Sequence, residues 1–141
     1  MSSSLLQGCN FLDSKLVSAC EEELKTRLKA PSGYKRVEFK EYQRELSIDQ
    51  YAQYKYDEGN ALSQDRIILL KKVAGPNPVV FSAFIDYDAP NAFGTPIRGL
   101  VQCEYVSSNG KMDADKRSVR VDGQTSFEVM LGKKKVYAPT N

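Results

Sequence analysis

From residue 13 onward the apolar side chains Leu16, Val17, Cys20, Leu24 and Leu28 recur at three- and four-residue steps, while Glu21, Glu22, Lys25, Arg27 and Lys29 fill the other positions. That period predicts an amphipathic helix. Asp13 is its expected N-cap, its acids precede its bases as the helix dipole favours, and Pro31-Ser32-Gly33 stops it. From about Tyr34 the period shortens to two, with Val37 and Phe39 alternating against Arg36, Glu38 and Lys40, as in a strand with one wet face.

Ser47-Ile48-Asp49-Gln50 has the form of a capping box and predicts a short helix that Gly59-Asn60 ends. Leu62, Arg66, Leu69, Leu70 and Val73 fit a second short helix, although Ile67-Ile68-Leu69-Leu70 also reads as a buried strand. Gly75-Pro76-Asn77-Pro78 breaks the pattern, and strands follow from Val79 to Tyr87 and from Ile97 to Val106, the latter with Val101, Cys103 and Tyr105 on one face. Between them DYDAPNAFGTPIRG, Asp86 to Gly99, is rich in turn formers and reads as a structured connection across the mouth of a hairpin. A polar loop runs from Ser107 to Asp115. Ser118 to Val121, Asp122-Gly123 and Thr125 to Leu131 then read as strand, tight turn, strand, and Gly132 onward as a basic tail.

This order predicts an α+β fold: an antiparallel sheet of about four to five strands packed against the N-terminal helix, with two short helices in the middle. Residues 13–141 are expected to form a single α+β domain and residues 1–12 a leader remnant and lipid-anchor stalk. At 141 residues, 41% hydrophobic and 27% charged, the chain is long enough for one core and has neither a disordered nor a membrane-embedded composition. Its net charge of +2 gives no electrostatic reason to expect nucleic acid as a partner. The chain has no His and no CxxC, so zinc, haem and Cys-His nucleophilic chemistry are not expected, and neither is a metal site or cofactor.

The cysteines bear on the compartment. Leu6-Gln7-Gly8-Cys9 matches the end of a bacterial lipoprotein signal, yet Met1-Ser2-Ser3-Ser4 supplies neither its positive region nor its apolar run, so the natural start is expected upstream. The alternative is a disordered tail with a chance Gly-Cys. If Cys9 carries lipid, Cys20 and Cys103 remain as an even pair, as in an exported domain with one disulfide. Their places on the helix stripe and on a core strand let them face one another. Reduced, buried thiols in a cytosolic protein share that geometry.

LKAPSGYKRVEF, Leu28 to Phe39, followed by YDAPNAFGTPIRGLVQCEY, Tyr87 to Tyr105, resembles a loosely defined group of small bacterial exported or membrane-tethered domains. Pro31, Ser32, Asp88, Asn91, Phe93, Gly94, Arg98 and Cys103 are the matching positions; Gly33 stands where that group usually has Ser, Thr or Ala, which loosens the turn. The resemblance covers both ends of the core and leaves the middle unmatched. It implies a fold and a compartment, and no activity.

Asp88, Asn91 and Arg98 bring a carboxylate, an amide and a forked donor beside Phe93, a set suited to a carboxylate-bearing or sugar-like ligand. Turn chemistry explains the same residues without a ligand, with Arg98 paired to Asp86 or Asp88. Ser32-Gly33-Tyr34-Lys35 and the Tyr51 to Lys55 spacing mimic catalytic motifs but lack the partner motifs that would give them context. Tyr42, Tyr51, Tyr54 and Tyr56 cluster as tyrosines do where proteins bind one another, and Lys133, Lys134 and Lys135 suit anionic headgroups.

The sequence therefore leads to the expectation of a non-enzymatic, envelope-associated interaction module, a lipoprotein with a protein or cell-envelope component as partner. Asn10 in place of an Asp after Cys9 favours a periplasmic, outer-membrane placement. A small hydrolase using carboxylates such as Asp86 and Asp88, and a cytosolic mobile-element protein with reduced cysteines, are the alternatives.

Overall fold

Ser14 turns the chain into its first helix: its side-chain oxygen accepts a hydrogen bond from the Val17 backbone N–H at 3.0 Å. In the computed structural model, which describes residues 14–73 and 75–132, Ser14 rather than Asp13 is the N-cap. Cys9, the stalk and the run Lys133 to Lys135 fall outside the described residues. Helix α1 spans Lys15–Arg27 and ends with Lys25 and Arg27 in its last turn, where cations complement the helix dipole. A 3-10 turn at Pro31–Gly33 follows. Gly33 is tight here rather than loose: a Cβ at this position would lie 2.5 Å from the Cδ of Pro90, so only glycine lets that ring approach.

Strand β1 runs Lys35–Glu45, longer than its short apolar signal suggested, with a bulge between Arg36 and Glu38. The capping box at Ser47 and Gln50 starts α2 (Ile48–Asp57), which ends just before Gly59 at a φ of 81°. The ambiguous apolar run is a helix, α3 (Gln64–Lys72), capped by Ser63. Strands β2 (Val79–Pro90) and β3 (Pro96–Ser107) form a long hairpin in unbroken register from Val79–Ser107 to Pro90–Pro96. The stretch from Asp86 to Gly99 is thus mostly strand, and the connection is only the segment from Asn91 to Thr95. Prolines at both arm ends concealed this.

Strand β4 is the short Arg120–Val121. Asp122 and Gly123 both adopt positive φ, 49° and 80°, as a two-residue type I′ hairpin turn demands, and Val121 and Gln124 exchange backbone hydrogen bonds across them. The expected last strand is instead a helix, α4 (Ser126–Met130), because Thr125 and Glu128 form a second capping box. The result is α+β: a four-stranded antiparallel sheet in the order β1-β2-β3-β4, open at both edges among the described residues.

The helix stripe Leu16, Val17, Cys20 and Leu24 packs on Ala83, Ile85, Val101, Cys103 and Val121 of the sheet, forming the main core. Arg36 bonds Glu21 at the margin of that core. A smaller cluster on the opposite face seats Leu46, Tyr51, Leu62 and Leu70 against Val80 and Val106, so α2 and α3 cover only one end of that face.

Candidate functional site

Alternation along β1, β2 and β3 directs Tyr42, Phe84, Leu100 and Gln102 away from α1, together with the cross-strand neighbours Lys35, Asp88 and Arg98. Beyond Ser82 none of the described helices covers this face. Leu100 is 63% and Tyr42 58% exposed, and the Tyr42 and Phe84 rings meet edge to face at 5.9 Å. Arg98 and Asp88 are register partners; the guanidinium Nε donates to Oδ1 at 2.6 Å. This hydrogen bond, followed by the charge of Arg98, holds the Asp88 carboxyl below its ordinary range, and the same bond raises Arg98.

The other two expected residues act at the hairpin tip. The Asn91 Oδ1 accepts hydrogen bonds from the backbone N–H groups of Phe93 and Thr95, at 2.9 and 3.0 Å, so its amide oxygen holds the loop. Phe93 stands in solvent at 92% exposure. The structure therefore brings Asp88 and Arg98 together, commits Asn91 to the turn and sets Phe93 apart at the apex. Of the clustered tyrosines, Tyr51 enters the small core, Tyr54 bonds Glu104, and Tyr42 and Tyr56 remain exposed.

A second site was not foreseen. A cleft of about 480 Å³ lies between α2, β3, β4 and α4. Arg120 stands in it, donating from Nε to Glu58 at 2.9 Å and from Nη1 to Glu128 at 3.2 Å and to the Gly123 carbonyl at 3.0 Å. Lys55 pairs with the other oxygen of Glu58 at 3.2 Å. Burial alone lowers the Arg120 guanidinium, but the hydrogen bond and charge of Glu58, with the charge of Glu128, outweigh it and leave the group raised. On the neighbouring wall the Tyr54 hydroxyl donates to Glu104 at 2.9 Å, and burial followed by the Glu104 charge pushes that phenol well above the usual tyrosine range. Each of these carboxylates already accepts a hydrogen bond and the guanidinium already has acceptors, so the cleft is a rigid polar surface. Nothing in the sequence alone joins Glu58 to Arg120, because the contact spans 62 residues. The Thr125-to-Glu128 capping box was the available signal for the wall formed by α4.

Cys20 and Cys103 are fully buried, with their sulfurs at disulfide distance and their Cα atoms 6.0 Å apart. Among the described residues no three His, Cys, Asp or Glu side chains are grouped to hold a metal ion. No helix among the described residues is long and apolar enough to cross a membrane. Comparison of the chain with models of known protein families, with curated proteins and with solved structures finds no match.

Proposed function

We propose that this protein is a non-enzymatic, envelope-associated interaction module that receives a protein or another envelope component on the open face of its sheet. The observation that carries the reading is the run of exposed Tyr42, half-buried Phe84 and exposed Leu100 set beside the ionic pair of Asp88 and Arg98. Apolar and aromatic side chains ringed by polar ones are the composition of a docking patch. Against the hydrolase alternative, an acid-base carboxyl works best with a pKa near the operating pH, whereas Arg98 moves Asp88 the other way. The buried cysteine pair supports an oxidising compartment, and Leu6-Gln7-Gly8-Cys9 supports a lipid anchor on the periplasmic side of the outer membrane.

The test places a photo-crosslinking residue at Leu100 and, as a control, at Glu22, which is exposed on α1. A discrete product from Leu100 in intact envelopes, absent from the Glu22 variant, is expected. Identical products from both positions, or none from Leu100, would exclude the sheet face as the docking surface.

A further inference from the structure

The two edges of the sheet are protected differently. Strand β1 is charged at most positions along its open edge, which deters strand addition. On the other side β4 pairs with β3 only at Cys103 and Glu104. Asp122 ends that pairing: its backbone N–H donates to the Gln102 carbonyl at 2.8 Å, and its Oδ1 accepts from the Gln102 N–H at 3.1 Å. Backbone groups alternate sides along an antiparallel strand, so with Gln102 facing outward Leu100 and Arg98 do too, while Ile97, Gly99 and Val101 face Ala89, Tyr87 and Ile85 of β2. The outward N–H and C=O groups of Arg98 and Leu100 have no partner among the described residues.

The side chains along this slot do not guard it. Ile97 and Leu100 are exposed apolar residues, and Arg98, the one charge between Pro96 and Gln102, is neutralised by Asp88 of β2. Gly99 adds no side chain: a Cβ there would lie 2.5 Å from the Cζ of Tyr87, so the phenol ring crosses β3 at this point. Donors and acceptors repeating at every second residue are matched by another extended backbone. A second copy of this chain fits poorly. Two-fold pairing of β3 with itself, centred on Gly99 or Leu100, puts Pro96 or Arg98 of each copy where Asp122 already bonds Gln102; centred on Arg98, it sets like charges opposite one another.

We propose that the outer edge of β3 from Ile97 to Val101 accepts an uncharged, extended segment of a partner protein as an added antiparallel strand. Its side chains would be apolar beside Leu100, a hydroxyl or amide beside the neutralised Arg98, and aromatic opposite Gly99, where they meet the Tyr87 ring. The proposal rests on the docking reading above and adds the form of the partner. The probe is the peptide acetyl-Ser-Val-Tyr-Thr-Val-Ser-amide, added to the full chain, with amide hydrogen exchange followed by NMR.

In the free protein the Arg98 and Leu100 amides should exchange readily while those of Gly99 and Val101 are protected. Saturating peptide should slow Arg98 and Leu100 about tenfold. The same peptide N-methylated at its first Val and its Thr should not, since those N–H groups face β3. Nor should the parent peptide act on Leu100→Pro, which lacks the outward N–H and keeps the bonds to β2. Should that variant lose protection at Gly99 and Val101, the N-methylated peptide carries the comparison alone. Tyr42→Ser, which strips the open face away from the edge, should leave the effect unchanged.

Protection of Arg98 and Leu100 before peptide is added would mean that another segment of this chain, or at rising concentration a second copy, already fills the edge, and would overturn the proposal. Equal slowing by the N-methylated peptide would overturn it as well. Binding that Tyr42→Ser abolishes without any slowing at Arg98 and Leu100 would place the peptide on the face, so that the edge fails while the docking face stands. No slowing and no binding also overturns the edge, and leaves the cross-link from Leu100 to decide the face.

Discussion

Arg27, at the end of α1, donates from Nη1 to the backbone carbonyl of Val121 at 2.8 Å, and from Nη2 to that of Gln124 at the same distance. One guanidinium thereby clamps the residues on both sides of the type I′ turn to the helix, while its Nε holds Glu23 at 3.0 Å. Arg27→Met should lower stability by about 3 kcal/mol, since it removes two charge-assisted hydrogen bonds and leaves the Glu23 carboxylate buried without its partner. Urea unfolding at neutral pH measures this. A loss under about 1 kcal/mol would mean that the turn holds its place through its own backbone bonds.

Two further paired arginines, Arg120 and Arg98, should behave differently from one another. Arg120 has a side chain only 12% exposed, and Arg120→Met removes the cation that Glu58 and Glu128 share, leaving Lys55 on Glu58. A cost of about 2 to 3 kcal/mol is expected, less than for a fully dry pair because the cleft admits water. Arg98 is exposed, and Arg98→Ala should leave the melting midpoint close to that of the parent. Equal destabilisation by the two substitutions would contradict this ordering.

Mass analysis should find Cys20 and Cys103 bonded to each other in protein recovered from an oxidising compartment, and a reductant should lower its melting temperature. The loop they close spans 83 positions. Loss of the bond should cost about 4 kcal/mol in the chain-entropy description. Free thiols at both positions in such material would withdraw support for the exported location.

Alkaline pH should destabilise the fold through Tyr54 and Tyr34. Burial, with the adjacent carboxylates Glu104 and Glu21 respectively, raises both phenols above their unfolded value of 10.0. A raised folded pKa means that the contribution is complete below the unfolded value and declines as pH climbs toward the folded one. Stability should thus fall with increasing pH above about 10, and Tyr54→Phe should flatten that slope. Ultraviolet titration of phenolate against unfolding at each pH provides the measurement; ionisation of all the tyrosines near pH 10 in the folded protein would refute it.

Local pattern carried much of this architecture. The three- and four-residue spacing from Leu16 to Leu24 located α1 and its buried stripe, and the same spacing brought Cys20 to the strand of Cys103, because a stripe and a core strand have only one mutual face. Ser47 and Gln50 announced α2 through a bond made within four residues. Thr125 and Glu128 carry the same signal, but Phe127, Val129 and Leu131 alternate behind them and imitate a strand; in so short a segment two periods fit equally well. Pro90 and Pro96 look like loop residues, yet they are partners at the end of the hairpin arms, where a missing N–H is tolerated. At the candidate sites, Asp88 and Arg98 were legible as a pair because a hairpin joins them. The Arg120 network was not, since it depends on how α2 and α4 dock and no local signal encodes that.

The outer edge of β1 presents a row of backbone donors and acceptors that no described strand pairs, in a segment eleven residues long. Such an edge is a template on which identical chains can stack into cross-β fibrils. Here Lys35, Arg36, Glu38, Lys40, Glu41, Arg44 and Glu45 leave no more than two uncharged residues in succession, and the bulge at Arg36 and Glu38 breaks the pleat. Fibril growth needs an in-register stack of identical side chains, and each layer added here would lay like charge upon like charge. The strand most open to aggregation is thus the one whose sequence most resists it.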